Sequence, residues 1–255
     1  MSLESTNKLN HLLKNSKEGK LFFSKWLNEI GYSDQLLLKY RRSGWLRGVS
    51  KGVMTRDEGV LNAIGALSSI NEQLDKSYTI AAHSALEIAG FIHFVPMGKP
   101  TLMVRRQSTE AVPAWMGKCE FDKNFYFFTS EVFSKNEVYL YDDGNFKTLT
   151  SSAEQAFLEC LILAPKYYTY MDLYYIMEQM TSLRIDLLQR LLECLANNKV
   201  KRMFLYMASK AEHYWFFKLD LSKIDLGSGK YKLCTDGVYI PEYKITIPKE
   251  LYDYE

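Results

Sequence analysis

One short stretch of the chain carries an amide and several cations at helical spacing. Gln35, Lys39 and Arg42 follow one another at intervals of four and three residues, so they share one face of a helix, with Arg41 beside them. Amides and guanidinium groups bond to base edges, and cations bind phosphates. The pattern therefore predicts a helix that contacts DNA in the major groove.

Two predicted helices position this face. The first is indicated by an apolar stripe that ends at Gly31 and consists of Phe23, Trp26, Leu27 and Ile30. The second begins with Ser33 as its cap, ends at Gly44 and buries Leu36, Leu37 and Tyr40. An earlier short helix, which completes a three-helix core, is predicted from Leu9, Leu12 and Leu13.

A basic hairpin is predicted directly after the second helix. Residues 45–56 form two short extended runs around the turn Ser50-Lys51-Gly52. Helices followed by such a hairpin indicate a winged helix-turn-helix. The predicted DNA-contacting residues are Tyr32, Ser33, Gln35, Lys39, Arg41, Arg42, Arg47 and Lys51. The alternative is a small helical subdomain whose charges are only solvated.

The distribution of charge favours the DNA-binding interpretation. Through Arg56 the chain has eleven basic and four acidic residues, a formal charge of +7. The whole chain carries +2, so the remainder carries −5. A basic head on an acidic body predicts a polyanionic partner that binds the head.

Composition and length are those of a soluble globular protein. The 255 residues are 47% hydrophobic and 24% charged, with room for one large or two modest domains. The four cysteines are widely spaced, without a zinc-knuckle or redox pattern, which predicts reduced thiols. The N-terminus is polar, and no apolar run has the length of a membrane span. We therefore expect a cytoplasmic protein with no metal, cofactor or membrane segment.

The rest of the chain mixes helical and extended patterns. Helices are predicted at residues 60–75 and 81–89, a hairpin at 91–104, and aromatic strands at 125–128 and 138–141. Four helices follow between Ser152 and Ala208, and strands are predicted at 231–234 and 243–247. The predicted fold class is α+β. Residues 1–90 are expected to form a winged helix-turn-helix domain with two following helices, and residues 91–255 a mixed α+β domain.

A second basic cluster lies at the start of a predicted helix. Lys199, Lys201 and Arg202 could supply an auxiliary phosphate contact, because cations at a helix start are unfavourable unless an anion is bound. A solvated helix end is the simpler interpretation. The passage Gly227-Ser228-Gly229-Lys230 has the composition of a phosphate loop but lacks Walker spacing, which favours a turn.

One pattern in the second domain is typical of an enzyme. Glu242-Tyr243-Lys244, with Asp225 or Asp236 upstream, matches the carboxylate-x-lysine arrangement in which acids hold a metal and lysine polarises water. It predicts, as an alternative, a metal-dependent nuclease that the winged helix delivers to DNA. Short patterns of this kind also arise by chance, so the main interpretation includes no catalytic residue.

Short passages in a fixed order carry a family resemblance. In the first half they are Gly31-Tyr32-Ser33-Asp34-Gln35-Leu36-Leu37, Ser43-Gly44-Trp45-Leu46, Gly52-Val53, Ala82-His83-Ser84-Ala85-Leu86 and Val112-Pro113-Ala114-Trp115. In the second half they span residues 150–159, 199–206, 224–230 and 243–246. Together they resemble the AbiEi-type antitoxins of type IV toxin-antitoxin systems, which are also transcriptional regulators.

The resemblance implies two functions. The basic head is expected to bind double-stranded operator DNA with inverted or direct repeats and to repress its own operon. The C-terminal domain is expected to act as the antitoxin against a cognate nucleotidyltransferase toxin, and a stable complex between the two proteins is not required.

Overall fold

The computed structural model describes residues 3–14, 17–56, 58–91 and 98–254. The chain forms two compact units, each built from discontinuous segments. The first consists of Met1–Thr79, Pro96–Thr129 and Leu140–Leu149, and the second of Ile80–Val95, Ser130–Tyr139 and Thr150–Glu255. Helices and strands occur in both units, which confirms the predicted α+β class.

The first unit begins with three helices and a small antiparallel sheet. In chain order these are α1 (Leu3–Lys14), β1 (Leu21–Phe23), α2 (Ser24–Glu29), α3 (Asp34–Arg42), β2 (Arg47–Ser50) and β3 (Val53–Thr55). The sheet order is β1-β3-β2, so the predicted hairpin is present as β2 and β3. We call residues 3–56 the N-terminal module.

A compact apolar core holds this module together. The buried side chains are Leu9, Leu12, Phe22, Leu27, Tyr32, Leu37, Tyr40, Leu46 and Met54. They come from all three helices, from two of the strands and from the segments on either side of α3, so burial of their apolar surface fixes the helices against the hairpin.

The prediction of a helix that includes Phe23 was wrong, because residues 21–23 form a strand. All three side chains are buried, and the strand pairs with β3 through Leu21↔Thr55 and Phe23↔Val53. Helix α4 (Ala63–Leu74) covers the outer edge of β1. The backbone N–H of Phe23 donates to Gln73 Oε1 at 3.0 Å, and Gln73 Nε2 donates to the Leu21 carbonyl at 2.7 Å. These bonds pair backbone groups at the edge of the sheet that would otherwise need water as a hydrogen-bond partner.

A five-stranded sheet follows in the chain. Its strands are β4 (Thr79–Ile80), β5 (Thr101–Arg106), β6 (Asn124–Thr129), β7 (Val138–Asp142) and β8 (Lys147–Ser151), in the order β6-β5-β4-β8-β7. Strands β5 and β6 are parallel, with Thr101 opposite Asn124. The first arm of the predicted 91–104 hairpin falls largely on residues 92–97, which lie outside the described residues. Strand β8 was not predicted.

The second unit is mainly helical. Its elements are α5 (Ala82–Ile88), α6 (Ala153–Leu163), α7 (Tyr170–Gln179), α8 (Ile185–Cys194), α9 (Asn198–Lys210), β9 (Tyr231–Lys232), β10 (Gly237–Ile240), β11 (Ile245–Pro248) and α10 (Lys249–Asp253). The three strands form a sheet of order β10-β11-β9. Ser152 caps α6 as predicted, because its side chain accepts a hydrogen bond from the Gln155 N–H. None of the described helices has the length and hydropathy needed to span a membrane.

A buried carboxylate joins α6 to the start of α8. Glu154, with only 3% of its side chain exposed, accepts two side-chain hydrogen bonds from Arg184, at 3.1 and 2.9 Å, and one from the Arg184 backbone N–H at 2.8 Å. Burial by itself raises the pKa of Glu154. The hydrogen bonds from Arg184 outweigh that effect and hold the pKa below its usual 4.5.

This pair predicts a specific loss of stability in acid. Because the pKa of Glu154 is lower in the folded chain, its carboxylate contributes stability above pH 4.5, and the contribution is lost as the pH falls through the folded pKa. Urea unfolding of Glu154→Gln should therefore show lower stability at neutral pH and a flatter decline below pH 4.5 than the unsubstituted protein. Glu87→Gln, at an exposed position of α5, is the control. Parallel acid declines for Glu154→Gln and the unsubstituted protein would contradict the assignment.

Candidate nucleic-acid interface

Helix α3 begins and ends as its sequence predicts. Ser33 has extended backbone angles, and its Oγ accepts a hydrogen bond from the Leu36 N–H at 3.3 Å. Asp34 lies in the first turn, where the helix dipole favours an anion, and its carboxylate accepts from Asn28 Nδ2 at 3.1 Å. The last turn is basic and is followed by Ser43 and Gly44. These contacts fix where the exposed face of α3 begins.

One face of α3 is buried and the opposite face presents the predicted side chains. Leu37 and Tyr40 are in the core, whereas Gln35, Lys39 and Arg42 are all exposed. The structure therefore brings these three side chains together on the outer surface of the helix. Leu38 lies on the same face, with 39% of its surface exposed.

Leu38 was missed as a candidate contact, although its spacing offered a signal. It follows Gln35 by three residues and precedes Arg42 by four, which places it in the same exposed row. An apolar side chain at such a position can contact the methyl group of thymine in the major groove.

Arg41 lies on a different side of α3 from the Gln35, Lys39 and Arg42 row. It lines a small cleft of about 140 Å³ with Asp34 on the helix and with Ser50 and Gly52 on the hairpin. Its position between α3 and the hairpin suits a backbone phosphate more than a base edge.

The hairpin is tied to the start of α2. Gly52, at the turn between β2 and β3, has a left-handed φ of +75°, and its carbonyl accepts the Ser24 N–H at 2.9 Å. Lys51 is exposed beside it. Arg47, also exposed, begins β2 and donates to the Gly59 carbonyl at 3.2 Å. The hairpin therefore carries cations at its base and at its turn.

Tyr32 does not form part of the exposed surface. Only 3% of it is exposed, and its hydroxyl donates to the Lys8 carbonyl at 2.9 Å and lies 3.1 Å from His11 Nδ1. Burial, with a smaller contribution from Tyr40, raises the pKa of the Tyr32 hydroxyl. The predicted contact of Tyr32 with the DNA backbone is therefore replaced by an internal role, the attachment of α1 to the turn before α3.

Two of the three residues in the predicted auxiliary cluster are also internal. Arg202 is completely buried, and its guanidinium donates to four backbone carbonyls, those of Leu226, Gly227, Gly229 and Lys244. Lys201 is 3% exposed and donates to the Asp225 carbonyl at 3.0 Å. Lys199 is half-buried, and burial lowers its pKa. Arg202 and Lys201 are inaccessible to phosphate, because both side chains are buried and donate hydrogen bonds to backbone carbonyls of the C-terminal segment.

The Gly227–Lys230 passage faces the same guanidinium. Gly227 has a left-handed φ of +68°, and the carbonyls of Gly227 and Gly229 point to Arg202 at 2.8 and 2.5 Å. A phosphate loop presents N–H groups to its ligand, whereas this loop presents carbonyl oxygens. It is a turn that holds a cation of the protein itself.

The residues of the nuclease alternative do not assemble into a metal site. Glu242 and Lys244 lie in the turn that precedes β11, with the Tyr243 side chain buried between them. Asp225 accepts the Gly227 N–H at 2.7 Å. Across the ranges that the structure describes, no three His, Cys, Asp or Glu side chains are grouped so as to hold a metal ion.

Comparison with known proteins identifies two family matches. A family model described as the AbiEi antitoxin N-terminal domain of a transcriptional regulator matches residues 5–97. A second, described as a transcriptional regulator and AbiEi antitoxin of a type IV TA system, matches residues 99–248. No curated protein matches the chain.

A solved structure shares the fold. The crystal structure of the RV2827C protein from Mycobacterium tuberculosis is similar with a TM-score of 0.60 and 12% sequence identity, over 96% of this chain and 91% of that one. At this identity the likeness concerns the fold alone. The two family matches cover most of the sequence. The chain therefore belongs to the AbiEi family of transcriptional regulators, the antitoxins of type IV toxin-antitoxin systems.

Proposed function

We propose that the N-terminal module is a winged helix-turn-helix that binds operator DNA and represses the operon of this protein. The observation that carries the proposal is the exposed row of Gln35, Lys39 and Arg42 on α3, in a segment of net charge +7. In a helix-turn-helix the second helix enters the major groove and its N-terminal residues contact base edges.

The proposal divides the contacts by type. Gln35, in the first turn of α3, bonds to a base edge, and Lys39 and Arg42 bind phosphate or guanine. Arg41, Lys51 and Arg47 bind the backbone beside the groove. Ser33 acts indirectly, because its cap fixes the start of the helix. The operator is expected to contain inverted or direct repeats.

We infer that the second domain, residues 91–255, supplies the antitoxin activity against a cognate nucleotidyltransferase toxin. The family match over residues 99–248, described as an AbiEi antitoxin of a type IV TA system, supports an antitoxin role for this part of the chain. A stable complex with the toxin is not required, because the antitoxin can act on the effect of the toxin or on its target. DNA binding and toxin neutralisation are then carried by different parts of the chain.

Separate loss of the two functions tests the proposal. In cells with a reporter under the protein's own promoter, the double variant Lys39→Ala/Arg42→Ala should lose repression, whereas co-expression should still rescue growth from the toxin. Lys166→Ala/Lys249→Ala, which removes two exposed lysines of the second unit, should retain both functions. Full repression by the α3 variant would contradict the DNA-binding assignment, and loss of growth rescue by a stable, folded α3 variant would contradict the division.

A further inference from the structure

A cavity in the first unit combines aromatic rings with lysines. It has a volume of about 310 Å³. Its walls include Phe121, Phe125 and Phe127, and its polar lining includes Lys99 and Lys123. Ligand pockets typically start at about 300 Å³, with mostly apolar walls and a few polar groups that fix orientation. The cavity therefore has the size of a small-molecule site, and its lining mixes aromatic rings with charged side chains.

The aromatic wall presents ring surface for stacking. Phe125 and Phe127 lie on the same face of β6, with centroids 5.5 Å apart and planes inclined by 21°. Phe121 meets Phe125 edge-on at 4.9 Å and 82°. Phe121 is buried, whereas Phe125 and Phe127 are half-buried. Edge-on contact with Phe121 restrains Phe125, and the half-buried Phe125 ring presents aromatic surface to the cavity.

The lysines give the cavity positive charge. Within the described ranges, neither the Lys99 nor the Lys123 ammonium has a hydrogen-bond or ion-pair partner. The Lys99 backbone is held by Asn124, whose Nδ2 donates to the Lys99 carbonyl at 3.4 Å. Two available cations beside an aromatic wall favour a ligand that joins a flat ring to an anionic group.

The same wall contacts the N-terminal module at two points. The Trp115 ring packs against Phe121, with centroids 6.1 Å apart, and against Phe23, also at 6.1 Å. Phe23 is the last residue before α2. The Cys119 thiol, which lines the cavity, lies 3.9 Å from the Val49 carbonyl of β2. The cavity wall is therefore connected through Trp115 to the end of β1 and through Cys119 to β2 of the hairpin.

We propose that this cavity binds a nucleoside monophosphate and that its occupancy changes the affinity of the N-terminal module for DNA. The base stacks against Phe125, and the phosphate binds Lys99 and Lys123. The regulatory part rests on the proposed DNA-binding function, whereas the binding site stands on the cavity alone. Coupling between the two sites is reciprocal, so bound DNA changes the affinity for the nucleotide by the same factor.

Calorimetric titration of the full-length protein tests the site. The probes are the four common nucleoside 5′-monophosphates, with adenosine and inorganic phosphate as partial ligands. We expect saturable 1:1 binding of at least one monophosphate, weaker binding of adenosine and none of phosphate alone. Phe125→Leu removes the stacking surface and Lys123→Gln removes one cation, and each should weaken binding about tenfold or more.

A matched control separates loss of the site from loss of the fold. Tyr126 points to the opposite face of β6, so Tyr126→Leu should leave nucleotide binding unchanged. The absence of saturable binding for all four monophosphates would overturn the proposal. Binding that survives both Phe125→Leu and Lys123→Gln would also overturn it, because the ligand would then lie elsewhere.

A DNA titration with and without the bound nucleotide tests the coupling. The expected change in DNA affinity is about fivefold or more, the usual lower range for coupled sites. Identical DNA affinities would overturn the regulatory part and leave the site intact. If the protein binds no DNA at all, the proposed DNA-binding function fails, and the calorimetric result still decides whether the cavity is a nucleotide site.

Discussion

Arg202→Met should lower the free energy of unfolding by about 3–5 kcal/mol, the usual cost of breaking a buried charged network by removing one partner. The Arg202 side chain is completely buried, and among the described residues it is the largest of the fully buried side chains. Its donors reach carbonyls 24 to 42 residues away in the chain. Methionine fills a similar volume but leaves those oxygens without their donor.

The loss should concentrate in the C-terminal segment. Arg202 connects α9 to the turn at Gly227 and Gly229 and to the Lys244 carbonyl before β11, and its guanidinium lies 4.8 Å from the Tyr231 ring centroid. Hydrogen exchange at residues 224–248 should therefore accelerate more than exchange in the N-terminal module.

Urea unfolding measures this loss of stability, and two further variants serve as comparisons. Arg202→Lys keeps the charge but lacks the planar fork that reaches several carbonyls, so it should recover only part of the loss. Arg190→Met, at a side chain that is 58% exposed and 3.8 Å from Glu137, should cost less than about 1 kcal/mol. A loss below about 1 kcal/mol for Arg202→Met would show that the network is not important for stability.

Lys39→Ala/Arg42→Ala should weaken DNA binding by roughly tenfold per cation at 0.1 M salt. Each cation that neutralises a phosphate releases a counterion, so the slope of log K against log salt should become less negative by about 0.9 per residue removed. Because α3 keeps its cap and its buried face, the variant should remain folded. Fluorescence anisotropy at several salt concentrations measures both quantities.

Two comparisons decide what the α3 side chains contact. Lys166→Ala/Lys249→Ala removes the same charge from exposed sites of the second unit and should leave the salt slope unchanged. Gln35→Ala should relax sequence preference at one base pair, because an amide reads a base edge. An unchanged slope for the α3 double variant would remove Lys39 and Arg42 from the DNA footprint.

Features that depend on neighbouring residues could be predicted from the sequence. Ser33 and Ser152 each cap a helix through the N–H three residues later, a contact within one helical turn. The buried and exposed faces of α3 follow from the same short-range periodicity. These signals predicted the cap and the exposed row of α3, and they could be read without knowledge of any distant contact.

Features that depend on residues far away in the sequence could not be predicted from the sequence. Phe23 fits a helical stripe locally, but pairing with Val53 and the bond from its N–H to Gln73 place it in a strand. Arg202 has the sequence context of a solvated helix start, yet the fold surrounds it with carbonyls. Tyr32 lies just before the predicted DNA-contacting helix, but its hydroxyl donates a hydrogen bond to the Lys8 carbonyl of α1. In each case tertiary contacts override a local pattern.

Binding to the DNA upstream of the gene tests the DNA-binding function most directly. Purified protein is titrated against the intergenic duplex and against a random duplex of equal length, at two salt concentrations. We expect tighter binding to the intergenic duplex at both salt concentrations, and affinity for both duplexes that falls as salt increases. Equal affinity for the two duplexes would contradict operator recognition by the N-terminal module.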